Sequence, residues 1–215
     1  MIFIDRVDAG RRLAVYLKEY AHNHGGIVIA LPRGGVVVGY EVASELNLPL
    51  DIVCPRKIGA PLNPELAIGA VTETGESIFN EELVEDLGVS KDFIEKAIET
   101  EKKEAARRLD HFRKGRPKRN LENKRVILVD DGLATGATMR AAIKTVRKEN
   151  AKEIIMAIPV APVDTISKLE NEVDQIVCLA TPPSFYAIGQ FYDEFSQTTD
   201  EEVILLLEKQ FSAKS

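Results

Sequence analysis

The amino-acid sequence predicts an α/β protein, a mostly parallel sheet covered by helices on both faces. Three observations predict it. Short apolar runs rich in Val and Ile recur at residues 27–31, 50–54, 126–129, 153–158 and 175–179, as in strands buried on both faces. Stretches of helical spacing alternate with them, which argues for parallel strands joined by crossover helices. The connections at 32–35, 56–57 and 130–138 hold glycines, cations and carboxylates, and ligands of open parallel sheets bind at the edge where such connections leave the strands.

Taken in order, residues 5–22 place Val7, Leu13, Leu17 and Tyr20 at roughly helical spacing, and Gly25-Gly26 ends that helix. The strand at 27–31 runs into Pro32-Arg33-Gly34-Gly35, and an apolar helix over about 36–46 follows at once. The next strand, 50–54, ends in Pro55-Arg56-Lys57. Residues 58–70 carry two Gly and two Pro, which predicts a long mobile connection. A short hairpin then joins 69–72 to 77–79, with Gly75-Glu76 near its turn.

From 80 to 112 the pattern is a charged helix. Phe93, Ile94, Ala97, Ile98, Ala105, Leu109 and Phe112 form its thin apolar stripe, with Glu99/Lys103 and Glu104/Arg108 as i,i+4 pairs. Residues 113–125 gather seven basic residues against one acid. A solvated linker is preferred there over a phosphate-binding patch. A helix over 163–169 separates the last two strands. The segment 181–195 holds Phe185, Tyr186, Phe191, Tyr192 and Phe195, an aromatic cluster that packs a C-terminal lobe or offers a face to a planar ring. A final helix over 200–210 docks through Val203, Ile204, Leu206 and Leu207.

The 215 residues suffice for one substantial domain, read here as 1–215. A net charge of −6 argues against a general nucleic-acid or anionic-membrane binder. No apolar run reaches membrane-spanning length, and the N-terminus lacks the pattern of a signal peptide. Cys54 and Cys178 are expected as buried free thiols of a reducing cytoplasm, and no Cys/His spacing suits a structural zinc. The histidines, His22, His24 and His111, sit in charged helical surroundings and are read as solvated. Whether copies assemble into a homo-oligomer stays open.

The chemistry gathers in residues 126–138. A buried strand ends in Asp130 and Asp131, a small-residue loop follows, and Thr138 is placed to cap a helix over 139–149. Loop amides and a helix N-terminus can hold a phosphate, while the two carboxylates can accept hydrogen bonds from hydroxyls. A Walker loop needs Lys where Ala137 stands, and no Gly-x-Gly-x-x-Gly follows the first strand.

This stretch resembles the 5-phosphoribosyl-1-pyrophosphate signature of the type I phosphoribosyltransferases, in its apolar strand, paired acids and Thr135-Gly136-Ala137-Thr138 end. The resemblance implies that fold, with a helical insertion over 80–124 and a small C-terminal hood over 181–215. It implies that Asp130 and Asp131 bind the ribose hydroxyls, and that Leu133, Ala134, Thr135, Gly136, Ala137 and Thr138 hold the 5-phosphate. Arg33-Gly34-Gly35 resembles the family's pyrophosphate loop, Arg56-Lys57 its basic pair, and 58–70 its flexible lid. Residues 186–193 are similar to the hood of the hypoxanthine-guanine enzymes, which makes Tyr186 the ring that stacks a base and Asp193 an acid near Mg2+. Magnesium is thus implied as cofactor, with Asp130, Asp131 and Asp193 as its acids.

Two departures concern the acceptor. Ala134 stands where 6-oxopurine enzymes carry an Asp, and Val160 where they carry a Lys that reads the 6-oxo group. Over nearly its full length the chain is similar to an uncharacterised family of phosphoribosyltransferases that shares the core, insertion and aromatic hood. The resemblance implies transfer of a 5-phosphoribosyl group from its pyrophosphate to a nitrogen of an acceptor base. Arg33 and Lys57 would steady the leaving group. No residue stands out as a general base; Glu65 in the 58–70 segment is only a candidate, and a solvated loop carboxylate is the better reading of it. Two alternatives stay open: a non-catalytic donor-binding regulator, and a phosphoribosyl hydrolase.

Overall fold

A computed structural model of the protein describes residues 2–22, 25–117 and 119–212. In chain order its elements are α1 (Arg6–Val15), β1 (Gly26–Ala30), α2 (Gly34–Leu46), β2 (Leu50–Ile52), β3 (Arg56–Ala60), β4 (Asn63–Val71) and β5 (Ser77–Phe79). There follow α3 (Glu81–Asp86), α4 (Lys91–Arg113), β6 (Arg125–Val129), α5 (Ala137–Lys148), β7 (Glu153–Val160), α6 (Val163–Leu169), β8 (Gln175–Ala180) and α7 (Asp200–Ser212). The predicted α/β class holds. Five parallel strands form one sheet in the order β2-β1-β6-β7-β8, and β3, β4 and β5 form a second, antiparallel sheet.

Strand alternation divides the main core in two. Ile27, Ile29, Val126 and Leu128 face Met139, Ile143 and Val146 of α5. Val28, Ile127 and Val129 face Leu13 of α1 and Val38 and Val42 of α2. The register of the two central strands decides where the loops fall. Gly26 pairs with Arg125 and Ala30 with Val129, so both strands end at one level and their following loops leave side by side. No helix among the described residues is long and apolar enough to cross a membrane.

Several expectations need correction. The first helix stops at Val15 rather than reaching 22. A 3-10 turn at Lys18–Tyr20 follows, because Tyr20 turns inward and donates to Gln175, and His22 takes a left-handed conformation with φ 56°. The stretch 58–70 is no mobile connection but the β3–β4 hairpin. Its Gly and Pro content serves close packing: a Cβ on Gly59 would overlap the Pro64 carbonyl, and one on Gly69 would lie 2.5 Å from the Ile78 oxygen. The hairpin buries Ile58, Ile68 and Val71 against Phe93, Ala97 and Ile98 of α4, which supplies the apolar face it would otherwise lack. The expected β4–β5 hairpin is present.

The charged helix is two helices, α3 capped by Asn80 and α4 by Ser90, with Gly88 at φ 59° between them. Glu104 pairs with Arg107, not Arg108. Residues 113–125 are neither solvated linker nor phosphate patch where it matters most. Arg113 grips Asp51 (2.8 Å), and Arg119 pairs with Glu73 (2.8 Å) and Glu149 (3.2 Å) while donating to the Ile52 carbonyl (2.9 Å). Lys118 and His24 lie outside the described residues. α7 docks Val203, Ile204 and Leu207 on Val36, Ile52 and Phe112. Cys54 is buried, Cys178 half-buried, and both are free thiols; burial pushes both thiols above their ordinary pKa.

The Arg119 side chain is 1% exposed, so removing it strands the Glu73 and Glu149 carboxylates, 7% and 17% exposed. Arg119→Met is expected to cost about 3–5 kcal/mol in urea unfolding. Joint replacement of Arg119, Glu73 and Glu149 by apolar residues should recover most of that loss.

Candidate active site

The site is built by the two loops that leave β1 and β6. After β6, the Asp130 side chain accepts from the Asp131 amide (2.9 Å), which turns the chain off the strand. Asp131 is nearly buried. Its carboxylate accepts from Arg6 Nε (2.7 Å), and its carbonyl accepts from the Tyr192 hydroxyl (2.6 Å). Leu133 then donates to the Val160 carbonyl (2.9 Å), prolonging the β6–β7 pairing into the loop. The Ala134 carbonyl is held by Thr165 of α6 (2.6 Å).

Gly136, at φ 76°, occupies the N-cap of α5, and no side chain caps that helix. Thr138 is therefore not the cap; it lies within the first turn. A left-handed Gly there needs no Cβ-compatible geometry, and it leaves the amides at the start of α5 to an anion. Ala134 and Thr135 are exposed on the loop. Beside them a cleft of about 770 Å³ opens between Thr135, Ala137, Lys168 and Phe79, a size suited to a nucleotide-like ligand.

Across from it, the peptide bond joining Pro32 to Arg33 is cis, and Arg33 is the N-cap of α2. The helix begins at Gly34, two residues before the expected start, so Gly34 and Gly35 form its first turn. Here the glycines serve close approach. A Cβ on Gly34 would overlap Asp131 Oδ2 and lie 2.6 Å from Arg6 Nε; one on Gly35 would lie 2.8 Å from Asp130 Oδ1. The acid pair thus abuts the positive end of α2. Arg33 itself reaches Asp200 at the start of α7 (3.5 Å), where Arg108 (3.8 Å) and His111 (3.9 Å) of α4 converge as well.

Burial, reinforced by the charge of Asp131, holds the Asp130 carboxyl well above the usual carboxylate range. Burial raises Asp131 too, and the Arg6 guanidinium opposes that rise. Burial likewise raises the Tyr192 hydroxyl.

The structure therefore brings together Arg33, Gly34, Gly35, Asp130, Asp131 and the 133–138 loop. It places the other candidates on outer elements. Arg56 begins β3 and is committed to Glu101 of α4 (2.8 Å), and Lys57 is exposed. Tyr186 is 91% exposed, with its backbone amide on Gln190. Asp193 is exposed and binds the Phe3 carbonyl through its backbone. Among the described residues no group of three or more Asp, Glu, His or Cys is placed to hold a metal ion. Val160 is buried beneath Phe3, Phe191 and Tyr192, and it touches the Gly132 position together with Ile188.

Sequence reasoning missed Arg6, Tyr192, Thr165 and Asp200. Only Tyr192 carried a signal, as a member of the aromatic cluster. Arg6 is 125 residues from its partner, and nothing local marks it.

Two outcomes follow for variants of this site. Gly34→Ala should melt below wild type, because the added Cβ would overlap Asp131 Oδ2 and crowd Arg6 Nε. For Asp130 the sign is set by its raised pKa. The stability it gives is present at low pH and lost as pH rises through the folded-state pKa. Asp130→Asn should therefore melt higher than wild type near neutral pH, with the gap closing in acid; each 1 kcal/mol would register as about 2–4 °C.

Residues 4–195 match the phosphoribosyl transferase domain. The chain is 40% identical over 208 residues to Rv0571c of Mycobacterium tuberculosis H37Rv, named provisionally as a phosphoribosyl transferase, and equally to its counterpart in strain CDC 1551. The match covers 97% of this chain but 47% of each of those proteins, so the chain spans about half their length. The crystal structure of TT1426 from Thermus thermophilus superposes with a TM-score of 0.82 at 38% identity, covering 98% of this chain and 99% of that one. The chain belongs to the phosphoribosyl transferase domain family, with its type I α/β fold.

Proposed function

We propose that the protein transfers a 5-phosphoribosyl group from 5-phosphoribosyl-1-pyrophosphate to a nitrogen of a nucleobase-like acceptor, releasing pyrophosphate. One observation carries this reading: the acid pair lies between two helix N-termini, in contact with Gly34 and Gly35 of one and continuous with the loop that opens the other. A diphosphate and a terminal phosphate joined by a diol-bearing sugar have that charge pattern. The amides of residues 134–138 hold the 5-phosphate, with the Thr135 and Thr138 hydroxyls beside them. The α2 N-terminus and Arg33 receive the diphosphate, whose negative charge grows as the anomeric bond breaks. The Asp130 carboxylate accepts from a ribose hydroxyl.

Magnesium suits this arrangement, because it commonly takes only one or two protein carboxylates and completes its octahedron with substrate oxygens and water. Asp130 is the acid available to it, since Asp131 is engaged by Arg6. When bound, the ion would neutralise the leaving diphosphate.

The acceptor side is apolar where it is buried. Val160, Ile188 and Gly132 offer no donor for an exocyclic oxygen, and Ala134 offers no acid to a ring nitrogen. These residues favour an acceptor other than a 6-oxopurine. Tyr186 is free to lie on a planar ring.

The test is pyrophosphate release from the donor with magnesium and a panel of nucleobases. Turnover with at least one base is expected, and Arg33→Ala should lower kcat by about a hundredfold, as loss of a transition-state donor does. Donor binding without turnover on any base would instead mark a binding protein. Ribose 5-phosphate formed without acceptor would mark a hydrolase.

A further inference from the structure

The second acid of the pair is held at both ends by one closed ring of contacts. Its carboxylate accepts from Arg6 Nε at 2.7 Å, and the Arg6 guanidinium lies 3.9 Å from the centre of the Phe195 ring. Phe195 packs on Tyr192 with centroids 4.9 Å apart, and the Tyr192 hydroxyl returns to the Asp131 carbonyl at 2.6 Å. Arg6 also donates to the Ser196 carbonyl at 2.7 Å. We propose that Arg6 is a positioning residue of the donor site, fixing Asp131 at the N-terminus of α2 and coupling the seating of the C-terminal segment to sugar binding. The inference rests on the donor reading above.

Three features support it. The Arg6 and Asp131 side chains are 11% and 12% exposed, so their contact is shielded from the solvent that weakens surface pairs. Arg6 Nε lies 2.6 Å from where a Gly34 Cβ would be, so the guanidinium stands at the same point as the pyrophosphate loop. The base of α1 is itself part of the C-terminal lobe. Phe3 donates to the Phe191 carbonyl, and Asp193 and Glu194 donate to the carbonyls of Phe3 and Ile4. Arg6 is thereby fixed relative to both the lobe and the acid. With one Asp131 oxygen committed, the sugar meets Asp130 and whatever remains of Asp131 in a single orientation.

The experiment is titration calorimetry of 5-phosphoribosyl-1-pyrophosphate with magnesium, on the full chain and on Arg6→Ala and Arg6→Lys, with thermal melting and inorganic phosphate binding as companions. Loss of a buried charge-assisted hydrogen bond should weaken donor binding by about tenfold or more in the alanine variant. Lysine keeps the charge but not the fork that serves Asp131 and Ser196 together, so it should recover part of the affinity. Phosphate binding at the 133–138 loop should be unchanged in both. Unchanged donor affinity in Arg6→Ala overturns the proposal. So does an equal loss in both variants, or a parallel loss of phosphate binding, each of which marks a merely structural role. A wild-type protein that binds no donor refutes the donor reading itself, and this inference with it.

Discussion

The register between the two central strands is the constraint on which the site depends. Ala30 and Val129 are paired neighbours, so the chain leaves the sheet twice at one height. Each exit turns directly into a helix. Two positive helix ends consequently face a common volume, and two carboxylates stand between them. That proximity tolerates no Cβ at Gly34 and little at Gly35. The acids are costly to keep there, since burial disfavours their ionised forms, and the site retains a local arrangement that stability alone would not select.

Other buried or half-buried charges are met by partners from distant segments of the chain. Arg6 answers Asp131, Asp200 answers Arg33, Arg113 answers Asp51 of the edge strand, and Arg119 answers Glu73 and Glu149. A chain of net charge −6 with a dense basic stretch thus keeps its best-buried cations for itself. What read as a solvated linker is, through Arg113 and Arg119, an internal clasp between the α4–β6 connection, β2 and α5.

The sequence made the main sheet and the Asp130–Thr138 stretch legible, because both depend on local pattern: apolar runs of strand length, and small residues that must follow a buried strand. Helix α6 and the β4–β5 hairpin were readable for the same reason. The failures share a cause as well. Residues 58–70 read as mobile because Gly and Pro usually break structure, yet Gly59 and Gly69 are there so that backbone can approach backbone. The apolar partner that makes this possible sits on α4, more than twenty residues away. Arg6 and Asp200 were illegible because their meaning lies wholly in tertiary contacts, and Thr138 was misassigned because a left-handed Gly136 occupies the N-cap position two residues earlier, with no side-chain cap.

Helix α5 is tied along its length. Its leading loop is held by Thr165, its middle by Thr145 on Thr72 and Lys144 on the Ser77 carbonyl, and its last turn by Lys148 on Glu76 with Glu149 on Arg119. A helix so anchored cannot slide to meet its ligand. The phosphate proposed for that loop would find its amides already aimed, and little conformational entropy would be lost at that end of the ligand. Adaptation during binding would then fall to the C-terminal aromatics, where Tyr186 is 91% exposed. On the reading proposed above, an acceptor preference could change there without loosening the phosphate grip.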